Sequence, residues 1–299
     1  MKKPGLAPRG GSRLRRFVPL YLMFLPVAVY FILFSYWPLI RGAIMSFQAN
    51  RLMPPRPFVG LTNYADVIAD PDFLQVIVNS LIIGAADMAL YFGLSLLLAL
   101  ALNEVRIRAV RSSVQTIAYL PYLFSWAVIA GVWILVFDDQ GMVNALITAL
   151  GGKSVFFLAK PALARPLIIG MGVWRSIGYF ALLYSVAITG IDPALYESAE
   201  IDGAGRVRQV WSITVPSLVD TMKVIAVLLA MGVLTHFDEM YVMQNAANKQ
   251  QIRSLLLYVF EKGILNFKTG LATAGAVLVM IGSLAVVALT RKAIRYDRI

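Results

Sequence analysis

Cysteine is absent from this chain, and histidine occurs once, at His236. The first absence excludes a disulfide framework and any thiolate metal site. The second excludes a multi-histidine metal centre built from this chain alone, so no metal site is expected. Charge is scarce too: 14% of the 299 residues are charged, against about a quarter in an ordinary soluble protein. With 59% hydrophobic residues and a mean hydropathy of +0.74, the polar coat that water demands is missing. Lipid has to solvate much of the surface. Acidic residues are the rarer sign, 16 against 27 Lys and Arg, for a net charge of +11. The basic residues cluster beside apolar runs, as the positive-inside rule describes, so the excess is assigned to membrane orientation and no nucleic-acid partner is expected.

Six apolar stretches are long enough to cross a bilayer. They lie near Phe17–Ile40, Val76–Leu102, Val114–Phe137, Pro166–Gly190, Ser217–Met243 and Leu271–Thr290. Lys2, Lys3, Arg9, Arg13, Arg15 and Arg16 precede the first, as in a signal peptide. The run itself fills a whole bilayer and no small-residue cleavage site follows, so it reads as a retained helix. Lys and Arg are denser in 1–16, 103–113, 191–216 and 291–299 than in 41–75, 138–165 and 244–270. The first set is assigned to the cytoplasm, with most of that signal in the two tails. The expected fold is therefore all-α and integral to the membrane, with six transmembrane helices and both termini cytoplasmic. Residues 1–16 and 291–299 are basic tails, 17–72 the first helix with an outer segment, and 73–290 the transmembrane core. Within the outer segment, Phe58–Phe73 has helix-like spacing and reads equally as an interfacial helix or a solvated loop.

The connection 191–216 is larger than a helical hairpin needs. Asp192 is a good N-cap and Pro193 occupies the first helical position, where a missing N–H costs nothing. A helix PALYESAEI carries Glu197 and Glu200, and Gly203 or Gly205 supplies the left-handed residue that ends it. A second helix is expected over Arg206–Ile213 until Pro216 interrupts it. Ser198, Ala199, Gly203, Ala204 and Gly205 are small enough to let another backbone approach, and Asp202 is among the flanking carboxylates.

This loop resembles the EAA signature of permease subunits from binding-protein-dependent ABC importers. That signature is Glu-Ala-Ala, three residues, Gly, nine residues, Ile, one residue, Leu-Pro. Here Glu197, Ala199, Gly203, Ile213 and Pro216 stand at the family spacings, while Ser198 replaces an alanine and Val215 the leucine. The resemblance extends over nearly the whole chain, through PLYLMFLPVAVYFILFSYWPLIRGAIMSF, FVGLTNYADVIADPDF, YLPYLFSWAVIAGVWILVF, Gly141 with Asn144, HFDEMYVMQN and LLLYVFEKGILNFKTGLATAGA. These segments are similar to those of carbohydrate-uptake members. The resemblance implies a type I importer permease fold working by alternating access, with 191–216 as a coupling helix docked in an ATPase groove. It also implies a heterodimer with a second permease subunit, two nucleotide-binding ATPase subunits and an extracytoplasmic solute-binding protein. The implied cargo is a carbohydrate, with an oligosaccharide favoured, and the implied location is the bacterial inner membrane. ATP and Mg are expected in the partner ATPase, with no cofactor and no catalysis in this chain. GGKS at Gly151–Ser154 is no exception, because the P-loop needs glycine where Ile147 stands.

Ionisable residues inside spans are functional candidates by default. Asp87 and Arg175 fall near the middle of the second and fourth spans, and they are expected either to pair or to line the substrate path. For a sugar, whose hydroxyls need donors and acceptors and whose rings stack on aromatics, the path candidates are Trp174, Arg175, Tyr179, His236, Asp238, Glu239, Tyr241 and Asn245. Tyr122 and Trp126 rank below them. Bilayer interfaces enrich Trp and Tyr in any case, and His236 reads equally as a packing residue. An ion-coupled secondary transporter of a polar solute is the alternative. It predicts two pseudo-symmetric halves, for which no convincing repeat is visible, and it leaves 191–216 unexplained.

Overall fold

The computed structural model describes residues 11–51, 53 and 55–296, with side chains from residue 17 onward. Most of the expected tail 1–16 and the last three residues of the C-terminal tail lie outside that set. The described residues are helical apart from turns and one isolated bridge, Gln48 to Phe58. In chain order the α-helices are α1 (Gly11–Phe31), α2 (Trp37–Met45), α3 (Thr62–Ala69), α4 (Pro71–Glu104), α5 (Arg108–Tyr119), α6 (Trp126–Phe137), α7 (Met142–Ala149) and α8 (Pro161–Thr189). There follow α9 (Pro193–Ile201), α10 (Arg206–Gln209), α11 (Val215–Ser217), α12 (Val219–Gly232), α13 (Asp238–Met243), α14 (Lys249–Ile252), α15 (Leu255–Phe260) and α16 (Thr269–Ala293). Five helical stretches are long and apolar enough to cross a membrane. The pair Arg206–Ser217 and Val219–Gly232, bent by 62°, supplies a sixth.

The 34-residue α4 and 29-residue α8 form the spine. At 1.5 Å per residue α4 is about 51 Å long, well beyond an apolar core of about 30 Å. Asp70 caps it by accepting from the Asp72 N–H at 3.0 Å, with Pro71 at the first position. Its buried face repeats every fourth residue: Asn79, Ile83, Asp87, Tyr91, Ser95 and Ala99. That spacing follows one helix face, so α4 presents a partly polar seam to α8, α12 and the 250–258 loop. Beside it Gly84 lies so close to the Val233 carbonyl that a Cβ there would overlap backbone.

Two expected spans are broken. Val114–Phe137 is not one helix: a 3₁₀ turn at Leu120–Leu123 containing Pro121 separates α5 from α6, which restarts with Ser125 as its N-cap. The fifth span stops at Gly232 and resumes at Asp238, with Phe237 at φ −142°, ψ −63° between. Residues 58–73 form α3 and the start of α4. The α3 helix is tucked into the bundle, with Val67 fully buried and Asn63 donating to the Ser46 and Gln48 carbonyls at 2.8 Å. The first span is a continuous rod whose side chains from Phe17 to Ile40 remain almost wholly exposed, an apolar surface that only lipid or another chain can cover.

Candidate coupling loop and translocation path

The 191–216 segment folds as a preformed projection. Asp192 accepts from the Ala194 N–H at 2.9 Å, and α9 covers the PALYESAEI stretch. Gly203 adopts φ +77° and ends it, with the Ala204 N–H returning to the Ala199 carbonyl at 2.8 Å. The Cβ penalty for left-handed backbone explains why glycine stands there. Gln209 donates to the Ala204 carbonyl at 2.9 Å, Tyr196 and Thr214 share a hydroxyl bond of 2.8 Å, and Arg206 reaches Glu104 at 2.9 Å. These contacts hold the projection against its own base. Its outer surface carries Glu197, Ser198 and Asp202 beside exposed apolar residues: Ile201 is 87%, Val207 74% and Trp211 65% exposed. Ala199, Ala204 and Ile213 are half-buried and Pro216 is exposed.

The second helix of the loop differs from the expected α-helix over Arg206–Ile213. Only α10 is α-helical; Val210–Thr214 is a π-turn in which the Val215 N–H bonds the Val210 carbonyl. Pro216 does not end the helix, which runs on through α11 and bends at Leu218. A proline has no N–H to offer the preceding turn, and the wider π register absorbs that missing bond. Sequence reasoning passed over Tyr196, Gln209, Thr214, Ile201 and Trp211; apolar residues at polar-looking loop positions are the signal that could have found the last two.

Asp87 and Arg175 do not pair. The Arg175 guanidinium donates to the carbonyls of Tyr122 and Phe124 at 3.3–3.4 Å and lies 4.9 Å from the Tyr122 ring centre and 4.3 Å from that of Trp126. It thus satisfies carbonyls that the break between α5 and α6 leaves without helical partners, a need that is acute at membrane depth. Tyr179 stacks on Tyr122 at 4.2 Å and 7°. Trp174, 42% exposed, faces the other way toward Trp133 at 6.3 Å. Tyr122 and Trp126, ranked low from sequence, are therefore the immediate surroundings of Arg175.

Asp87 instead serves the break in the fifth span. Its Oδ2 is 3.6 Å from His236 Nε2, while His236 Nδ1 lies 2.5 Å from Glu239 Oε1. Ser254 donates to the His236 carbonyl at 2.6 Å. Asp87 and Glu239 are each 4% exposed, so this is a buried carboxylate–imidazole–carboxylate chain spanning α4, the break and α13. On α8, Gly172 leaves room for the Tyr91 hydroxyl and for Asp87. Asp238 and Tyr241 are exposed, the latter stacked on Phe237 at 5.7 Å and 13°. Asn245 is a turn residue: its amide donates to the Leu158 carbonyl at 2.9 Å and its Oδ1 accepts from the Ala247 and Asn248 N–H groups.

At the end of the bundle opposite the 191–216 loop, an ionic latch that sequence reasoning missed ties residues 249–262 to α4. Arg253 bridges Asp72 at 2.7 Å and Glu261 at 2.5 Å, and Lys249 joins Glu261 at 2.8 Å. Asn79 donates to the Gln250 and Arg253 carbonyls and accepts from Arg165. Burial pushes the Asp70 carboxyl up, but hydrogen bonds from Lys262 at 2.6 Å and Tyr258 at 2.8 Å outweigh it and hold Asp70 below the ordinary carboxylate range.

Residues 71–294 match the family described as binding-protein-dependent transport system inner membrane component. The chain is 35% identical over 282 residues to the polygalacturonan/rhamnogalacturonan transport system permease protein YteP of Bacillus subtilis (strain 168), covering 88% of this chain and 86% of that protein. It superposes with a TM-score of 0.89 and 29% identity on a bacterial ABC transporter involved in the import of the acidic polysaccharide alginate, over 96% of this chain and 99% of the other. The bacterial alginate ABC transporter in complex with an alginate pentasaccharide-bound periplasmic protein gives 0.88 and 28%, over 95% and 96%.

Proposed function

The chain belongs to the family of binding-protein-dependent transport system inner membrane components, the permease subunits of ATP-driven importers, and we propose that it forms one half of the translocation path for a carboxylate-bearing oligosaccharide. The observation that carries the coupling role is the 191–216 projection: self-braced, apolar at its tip, and built on the Glu197–Gly203–Ile213–Pro216 spacing. Its acidic and apolar outer surface is the docking element for a separate ATPase, placed in the cytoplasm, with Ile201, Val207 and Trp211 as the apolar anchors and Ser198, Ala199, Asp202 and Ala204 completing the contact. ATP and Mg belong to that partner. A second permease subunit, a second ATPase copy and a solute-binding protein complete the importer. An ion-coupled mechanism has no support in the family or the fold.

The mechanics follow from two breaks. The 14-residue α12, about 21 Å long, is a rigid strut between the bend at Leu218 and the break at 233–237. A displacement of the docked loop reaches His236, and through it Asp87 and the α4 seam. Substrate class is supported by two things. The relatives named above handle acidic polymers, and Arg175 is an intramembrane cation with no carboxylate partner among the described residues, flanked by stacked aromatic rings suited to sugar faces.

The test is uptake by the complete importer reconstituted with its ATPase, second permease and binding protein. An oligogalacturonide should be taken up in preference to a neutral oligosaccharide of equal length, and Arg175→Gln should narrow that preference. Equal uptake of the two, unchanged by Arg175→Gln, would refute the acidic assignment while leaving the permease role standing.

A further inference from the structure

A groove between α5 and α8 carries chemistry that neither the path nor the coupling loop uses. It encloses about 510 Å³ and is lined by Arg106, Arg108, Arg111, Ser112, Ser185 and Thr189 among others. None of the three guanidiniums forms an ion pair among the described residues, and no carboxylate lines the groove. The nearby Glu104 is occupied by Arg206. The 12-residue α5 starts at Arg108 without a side-chain cap, so the first-turn N–H groups and the positive end of the helix dipole are free at the same place. An independent sign points to a ligand: Ser185 is 4% exposed, lines the groove, and its hydroxyl has no hydrogen-bond partner among the described residues. Such groups are otherwise satisfied in folded proteins.

We propose that this groove binds the phosphodiester headgroup of an anionic phospholipid. Guanidiniums, a bare helix N-terminus and a buried hydroxyl are the donors that phosphate oxygens take. The choice of a lipid over a soluble anion rests on what adjoins the groove. A second cavity of about 260 Å³ shares Ser112, Gln115, Leu182 and Ser185 with it and continues between α4, α5 and α8 over Leu98, Leu102 and Ala181. That neighbour is largely apolar, as an acyl chain requires. Around the two, Val110, Val114, Leu182 and Val186 are exposed apolar residues, Leu182 and Val186 at the cavity walls themselves. The headgroup would sit immediately before the 191–216 loop, since Thr189 ends α8 and α9 begins four residues later.

Spin-labelled phosphatidylglycerol and phosphatidylcholine, added separately to the assembled importer in phosphatidylcholine bilayers, test this. The motionally restricted fraction should be larger for phosphatidylglycerol, and each of Arg106→Gln, Arg108→Gln and Arg111→Gln should lower that preference about fivefold. Ser185→Ala should lower it too, while Lys292→Gln, a basic change elsewhere at the same end, should not. Each substitution is made singly, so that assembly is kept while one donor is lost. Three results would overturn the proposal: equal restriction of the two lipids, displacement by soluble glycerophosphate, or loss of ATPase co-purification with lipid preference unchanged. The second would make the groove a soluble-anion site and the third a protein-docking surface. The inference depends only on the membrane location, so it stands or falls separately from the choice of cargo.

Discussion

Replacing Arg175 by methionine keeps an unbranched apolar stem and removes the guanidinium fork. Three hydrogen bonds of 3.3–3.4 Å are lost, each worth about 1 kcal/mol at that length. The two ring contacts, at 4.3 and 4.9 Å, contribute about 0.5–1 kcal/mol each. Arg175→Met is therefore expected to destabilise the assembled permease by roughly 4 kcal/mol. Arg175→Lys, with its charge but no fork, should recover about half of that. Asp87→Asn preserves shape beside His236 and should cost about 1 kcal/mol. The decisive comparison is the charge swap, Asp87→Arg with Arg175→Asp. An ion pair would be restored by it. The observed geometry instead sets an aspartate against the Tyr122 and Phe124 carbonyls and an arginine against His236, so the double variant should be worse than either single. The assay is the midpoint temperature at which the tagged chain, in the complex in lipid nanodiscs, ceases to elute as a single species. A swap variant recovering to within about 1 kcal/mol of the unaltered protein would refute the carbonyl-clamp reasoning.

Gly203→Val forces a β-branched residue to φ +77° and should cost about 1–2 kcal/mol locally; ATPase co-purification should fall while the thermal midpoint of the permease barely moves. Trp211→Ala, removing a 65% exposed anchor, should weaken ATPase binding about 30-fold or more in a pull-down titration, with the fold intact. Because the Asp70 carboxyl is held below its ordinary value, its contribution to the latch is fully present above the unfolded-state pKa of about 3.9 and is lost as pH falls through the lower folded value. Protection against hydrogen exchange across 249–265, corrected for the intrinsic pH dependence of exchange, should accordingly hold from neutral pH down to about pH 4 and fall only below it, and Lys262→Gln should move that onset upward. Gly84→Leu, which drives a side chain into the Val233 backbone, should abolish assembly, whereas Gly93→Leu, on open space in the same helix, should be tolerated.

Much of the architecture is legible because lipid imposes long apolar runs and loops impose capping residues. Asp192, Pro193 and Gly203 act locally, and their roles follow from dihedral sterics that need no tertiary context. The helix breaks are less legible. Pro121 marks one, but where a proline falls does not say whether a helix kinks, widens into a π-turn or stops, and Pro216 widens it. The break at 233–237 contains no proline at all; it depends on Gly84 of a distant helix and on Ser254 donating to the His236 carbonyl. Charge and position allow Asp87 and Arg175 either to pair or to line the path, because depth is the only coordinate a sequence supplies. Their true partners are a histidine and two backbone carbonyls, and a carbonyl orphaned by a break has no sequence signature. The latch was hidden for a related reason. Asp70, Asp72, Asn79, Arg165 and Arg253 come from segments up to 183 positions apart; Asn79 sits alone inside an apolar span, and each of the others looks like an ordinary solvated residue at a span end or loop.

The same local device occurs twice, and the comparison separates what it does from where it sits. The π-turn Ile32–Tyr36 is followed two residues later by Pro38, and the π-turn Val210–Thr214 by Pro216. In both, the N–H just after the turn reaches back five residues, Trp37 to Ile32 and Val215 to Val210. The first copy lies in the exposed rod of the first span, and the helix continues through α2 to Met45. The second copy has Leu218 fully buried four residues beyond the turn's end and two beyond Pro216, and there the axis bends by 62°. A widened turn before proline is thus a way of carrying a helix past a missing donor, and by itself implies neither hinge nor coupling. What makes the second copy a joint is anchorage on both sides: Thr214 held by Tyr196 within the projection, and Leu218 packed into the core with Tyr184, Ile188 and Ile225. Force applied at α9 has a braced path into α12 because both ends of the turn are tied down, whereas the turn at 32–36 is anchored on one side alone, through α2 packed on α16, with the exposed rod before it.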